Sequence, residues 1–130
     1  AGDLDSAEEA YTRLLAAHPD HADALHFLGV LQHQRGRSQE AVATITRAVA
    51  LSPDYADAHN NLGNVHFARD ELASAQACYR RALEIDPDYP QAHYNLANVF
   101  AAREEFDAAR AEHDVLAIAG RVDSIERTAA

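Results

Sequence analysis

Eight histidines, one cysteine and 21 acidic residues are the groups in this 130-residue chain that could hold a metal or move a proton. A zinc site on helices needs convergent ligands, most simply two histidines at i and i+4. The chain has no such pair and no H-E-x-x-H. His59 and His93 lie one fixed interval apart, in places that read as packing positions, and His18 and His21 flank a turn and read as solvated. Cys78 has no second cysteine to pair with, so it reads as a small core residue. Glu8, Glu9, Glu104 and Glu105 are neighbours near helix ends and read as a solvated face. The glycines are scattered singly, without a phosphate loop or a nucleophile elbow. The expectation is no catalysis, no metal and no cofactor. One constellation has a different character. Asn61 and Asn64 are three apart, as are Asn95 and Asn98, and each pair recurs after 34 residues. On helices all four share a face. A carboxamide both donates and accepts, so a row of them can hydrogen-bond a peptide backbone with little regard to its side chains.

The elements that must position these residues are legible from the same interval. Ala7, Ala41, Ala75 and Ala109 are spaced by 34, and so are Pro19, Pro53 and Pro87, each followed by Asp. Residues 22–55 and 56–89 agree at 13 of 34 aligned positions. Within a period Leu25, Leu28, Gly29 and Leu31 have helical spacing, Gly36 suits a left-handed helix end, and Ala41, Ile45, Ala48, Val49 and Leu51 form a second helical set that Pro53 stops. Each period is therefore predicted as helix, tight turn, helix, tight turn. Asp70 and Glu104 stand where Gly36 does, so those turns are expected to differ locally. Gly29, Gly63 and Ala97, facing Ala41, Ala75 and Ala109, let paired helices approach, while Tyr11, Ile45 and Tyr79 fill the space between neighbouring pairs. Arg35, Arg69 and Arg103 recur in the last turn of each first helix, where a cation suits the helix dipole.

Composition and charge narrow the partners. The chain is 48% hydrophobic and rich in Ala, with 5 Gly and 4 Pro, which points to an all-α protein. All 11 basic residues are Arg, and the net charge is −10. Such a chain repels phosphate backbones and anionic lipid, so neither nucleic acid nor membrane is expected. Neutral or basic polypeptides are favoured over acidic ones. No apolar run approaches the ~20 residues of a membrane span, and no signal peptide is visible, which reads as cytoplasmic. The absence of an initiator Met reads as a fragment or a processed form.

A 34-residue helix–turn–helix with Leu-Gly, then Ala, an aromatic, Ala and Pro resembles the tetratricopeptide repeat. The resemblance spans residues 2 to about 119 and weakens in the last period, where Ala97 replaces Gly, His113 replaces the aromatic and Arg121 replaces Pro. It implies a single array over 1–130, a right-handed α-solenoid of antiparallel helix pairs. Residues 2–21 would be the second helix of a truncated repeat, 22–55 and 56–89 full repeats, 90–119 a degenerate one, and 120–130 a capping or linker helix. It also implies that the first helices line a concave groove taking a peptide. The recognition residues would be Asp23, His26, Phe27, Val30 and Gln34, then Asp57, Asn60, Asn61, Asn64 and Phe67, then Gln91, Tyr94, Asn95, Asn98 and Ala101. The Asn row resembles the inner surface of the repeat region of O-GlcNAc transferases. A clamp for a terminal carboxylate, known in another subgroup, would need Lys or Arg in the groove, and the chain offers none there. Two other expectations stand beside groove binding. One is self-assembly through the apolar face of helix 3–17, which has no sequence-local partner. The other is service as the recruitment arm of a larger enzyme such as a glycosyltransferase.

Overall fold

A computed structural model describes the backbone of residues 2–129, and all their side chains except those of 109, 112, 113, 115–117 and 119–129. The chain is all-α. In order, the helices are α1 (Gly2–Ala17), α2 (Ala22–Gln34), α3 (Ser38–Leu51), α4 (Ala56–Ala68), α5 (Leu72–Ile85) and α6 (Pro90–Ala129). Two compact units divide within α6, one Ala1–Val99 and the other Phe100–Ala130. Within the first unit each helix packs on the next, and α2 also touches α4, so it is a helical solenoid.

The turns follow from backbone chemistry. Gly36 takes φ 80° after α2. The amide of Arg37 donates to Gln32 O (2.8 Å) and that of Gly36 to His33 O (3.0 Å), which satisfies the last carbonyls of the helix. Asp70 adopts φ 58° after α4 with the same two bonds, Glu71 N to His66 O and Asp70 N to Phe67 O, both 3.0 Å. The local difference expected at Asp70 is therefore absent, since Asp tolerates the left-handed region better than most residues do. That tolerance still has a cost. Asp70→Gly is expected to stabilise the fold by about 0.5–1 kcal/mol, read as a higher urea midpoint. A lower midpoint would contradict this reading of the turn.

The turn expected at Glu104 does not form, and α6 runs unbroken from Pro90 to Ala129. Glu rarely enters the left-handed region, and Ala101, Ala102, Arg103, Glu104 and Glu105 are all strong helix formers. The side chains of residues 120–129, within the stretch read from sequence as a capping or linker helix, lie outside the described residues.

The small residues sit at close helix contacts. Ile45 lies directly over Gly29, and Tyr79 over Gly63. Ile45 also belongs to a core with Ala41, Ala58, Leu62 and Val65, and Tyr79 to one with Ala75 and Val99. Each thus fills its own pair and reaches the next, which is more than the gap-filling between pairs expected of them. Cys78 is half-buried against the first of these cores, and burial pushes its thiol up to about 11. It is a thiol, not a nucleophile, at neutral pH.

α1 has no buried residue, and Leu4 and Leu14 are exposed. Ion pairs tie it to the turn between α2 and α3: Glu8 bonds Arg35 (2.8 Å) and Arg37, and Asp5 bonds Arg35 (2.5 Å). Hydrogen bonding from Arg37 lowers the Glu8 carboxyl below its ordinary range. Glu8 is therefore half-buried and paired, not part of a free solvated face as its sequence neighbours suggested. Arg35 and Arg69 cap the C-termini of α2 and α4 and also pair with carboxylates, Arg69 with Glu71 at 2.6 Å.

Candidate functional site

Because the helices of successive pairs repeat in register, residues 34 apart stack across the solenoid. The stack formed by α2, α4 and the start of α6 places the expected groove residues as follows. Phe27 is 47% and Tyr94 70% exposed, Asn98 is exposed, and Val30, Asn61, Asn64 and Asn95 are half-buried. Asn60 is only 4% exposed. Phe67 is half-buried and packs against the core of Ala75, Tyr79 and Val99. It lies in the last turn of α4.

An open cavity of about 620 Å³ lies over this stack. Asn60, Asn61, Asn64, Tyr89, Pro90, Gln91, Tyr94 and Asn95 line it. Every lining side chain that can hydrogen-bond is neutral, four carboxamides from Asn, one from Gln and two phenols.

The carboxamides are not independent. Asn61 Nδ2 donates to His26 Nε2 at 2.7 Å, Asn64 Nδ2 to Asn61 Oδ1 at 3.3 Å, and Tyr79 Oη to Asn64 Oδ1 at 2.6 Å. Asn95 Nδ2 donates to both Asn60 Oδ1 and Asn64 Oδ1, each at 3.1 Å. An amide nitrogen can only donate, so His26 Nε2 is unprotonated and the ring proton sits on Nδ1. It is donated to Tyr55 Oη, 2.9 Å away. The Tyr55 hydroxyl in turn is hydrogen-bonded to Asp23, and burial together with that carboxylate pushes the phenol far above its ordinary range. Tyr89 is raised in the same way, by burial and by its bond to Asp57. Burial lowers the His26 imidazole, although Asp57 and Asp23 oppose this.

The two full periods repeat this wiring. Asp23, His26 and Tyr55 correspond to Asp57, Asn60 and Tyr89 after a step of 34. Asn61 donates to His26 as Asn95 donates to Asn60. Sequence reasoning placed His26 and both Asp residues on the groove but missed Tyr55, Tyr79 and Tyr89. The available signal was the Tyr that closes each full period.

At the other end of the stack, Tyr11 stacks on Phe27 with ring centroids 6.1 Å apart, and His26 lies 5.0 Å from Phe27. His59 and His93 bond the carbonyls of Pro53 (2.9 Å) and Pro87 (2.7 Å), bracing the turns. Among the described residues no group of three His, Cys, Asp or Glu could hold a metal ion, and no helix is long and apolar enough to cross a membrane.

Two family models match, one described as tetratricopeptide repeat over residues 1–56 and one as TPR repeat over 63–103. The chain belongs to the tetratricopeptide-repeat (TPR) family. Similar solved structures agree. MamA is 31% identical with a TM-score of 0.74, the match covering 82% of this chain and 62% of that one. A mutant O-GlcNAc transferase from Thermobaculum terrenum is 40% identical with a TM-score of 0.72, over 75% of this chain and 19% of that one. The first TPR of Spaghetti (RPAP3), bound to the HSP90 peptide SRMEEVD, is 26% identical with a TM-score of 0.76, over 79% of this chain and 82% of that one. The TPR chain described here thus spans under two thirds of the first and a fifth of the second. No curated protein matches it in sequence. A TPR array is a protein-interaction module, generally non-catalytic, and presents a concave binding surface.

Proposed function

We propose that this TPR array holds an extended peptide by its backbone, against the carboxamide row of α4 and α6. The observation carrying this is the hydrogen-bond count. Asn61 and Asn64 each spend one N–H on a neighbour and keep one. Asn95 spends both N–H groups and keeps its carbonyl oxygen. Spare donors beside a spare acceptor complement a peptide unit, whose C=O accepts and whose N–H donates. The bonds within the row fix each carboxamide before a ligand arrives, which lowers the ordering cost of binding.

The peptide is neutral or basic. Asp23 and Asp57 border the groove, and the chain has no Lys. A relative with a similar fold holds an acidic peptide. That supports peptide binding as the mode, while the charge here disfavours an acidic ligand.

The test is a replacement of Asn61, Asn64, Asn95 and Asn98 by Ala, with binding read on a random extended-peptide array and helicity checked by circular dichroism. Affinity for the peptides retained by the parent is expected to fall at least about tenfold, the equivalent of one charge-free hydrogen bond or two. Unchanged affinity in a folded variant would remove the groove assignment.

A further inference from the structure

We infer that His26 fixes the polarity of the carboxamide row, and that protonating it reverses which atoms the groove presents to a peptide. His26 is a positioning residue here, 3% exposed and bonded at both ring nitrogens. Nε2 can accept from Asn61 only while it carries no proton. In the imidazolium both nitrogens donate, so Nε2–H would face the Asn61 amide nitrogen, donor against donor, at the present 2.7 Å. The Asn61 carboxamide must then turn over and offer Oδ1. Its nitrogen thereby meets the nitrogen of Asn64, which donates to it now. Asn64 turns in response: the Tyr79 hydroxyl, which donates to it now, must accept instead, and Asn95 keeps only Asn60 Oδ1 as an acceptor. One proton thus turns two carboxamides, Asn61 and Asn64, and removes one of the two acceptors of Asn95, because the bonds of Asn61 and Asn64 use opposite ends of each amide.

The groups surrounding the ring permit the event and delay it. α2 contributes Asp23, the turn before α4 contributes Tyr55, and α4 contributes Asp57. Both carboxylates favour the cation, but burial is the larger effect and holds the imidazole below its ordinary value. The row is therefore in its described polarity at neutral pH and reverses on acidification. The inference builds on the groove reading for its consequence, yet its test needs no ligand, so either can fail alone.

The second full period supplies the control. Asn60 occupies the place of His26 one step on, accepts from Asn95 as His26 accepts from Asn61, and cannot titrate. His26→Asn is therefore a substitution the fold already uses. The experiment follows the side-chain amide resonances of Asn61, Asn64 and Asn95 by ¹H–¹⁵N NMR in the full chain, from about pH 8 to 5. In the parent they are expected to shift together with the His26 imidazole, at one midpoint below that of free histidine. In His26→Asn they are expected to stay still. Amide resonances that remain fixed while His26 titrates would overturn the inference, as would identical shifts in the variant. The parent titration decides alone if the variant does not fold.

Discussion

Replacing Tyr79 by Ala is expected to cost the fold about 3–5 kcal/mol, the range for deleting a buried aromatic ring. The ring is 1% exposed and shares a core with Ala75 and Val99, with Phe67, Leu72 and Leu96 packed around it. It rests on Gly63, so α4 and α5 would lose the body that sets their spacing. The groove would suffer as well, since Tyr79 Oη donates to Asn64. Tyr79→Phe separates the two roles. It keeps the ring and removes one bond, while Asn64 Oδ1 still accepts from Asn95, so the expected loss is only about 0.5–1.5 kcal/mol. Urea unfolding followed by circular dichroism measures both. A Tyr79→Ala midpoint close to that of Tyr79→Phe would show that the ring is not what joins the two helices.

Gly63→Ala comes next in size, and its sign is the informative part. Ala is the better helix former by about 1 kcal/mol, so on an open helix face this change stabilises. Here a Cβ would stand 2.6, 2.8 and 3.0 Å from three ring atoms of Tyr79. The ring cannot swing away, because its rim is buried and its hydroxyl is bonded. Overpacking of this kind costs about 1–3 kcal/mol and exceeds the propensity gain. Net destabilisation is expected by thermal or urea melting. Ala97 occupies the same register in α6 but is exposed. There the opposite change, Ala97→Gly, is expected to destabilise through propensity alone, by about 1 kcal/mol. A stabilising Gly63→Ala would mean that α4 and α5 can move apart freely, against the close approach described above.

Much of this architecture could be read before any coordinates. The 34-residue step, the Leu-Gly and Pro-Asp pairs and the nearness of Asn61, Asn64 and Asn95 are properties of spacing, and spacing is written along the chain. The failures have another source. Glu104 keeps the register of Gly36 and Asp70 but cannot readily adopt their backbone angle, so the period runs on while the turn disappears. Glu8 looked solvated because Arg35 and Arg37 lie far from it in sequence. The bonds joining the carboxamides were hidden for a similar reason. Spacing says that Asn61 and His26 are neighbours, but only atomic placement says which end of the amide meets which ring nitrogen.

In a one-dimensional chain of units, each unit has its own energy and a coupling to the next. The Asp23–Tyr55 and Asp57–Tyr89 contacts each close inside one 34-residue period, so they belong to the energy of the unit. The bonds from Asn61 to His26 and from Asn95 to Asn60 and Asn64 cross from one period to the next, and they belong to the coupling. The side chains that line the cavity are therefore also ones that join adjacent repeats. A peptide that competes for those amides would loosen the cooperativity of the array, and one that only uses their spare valences would tighten it.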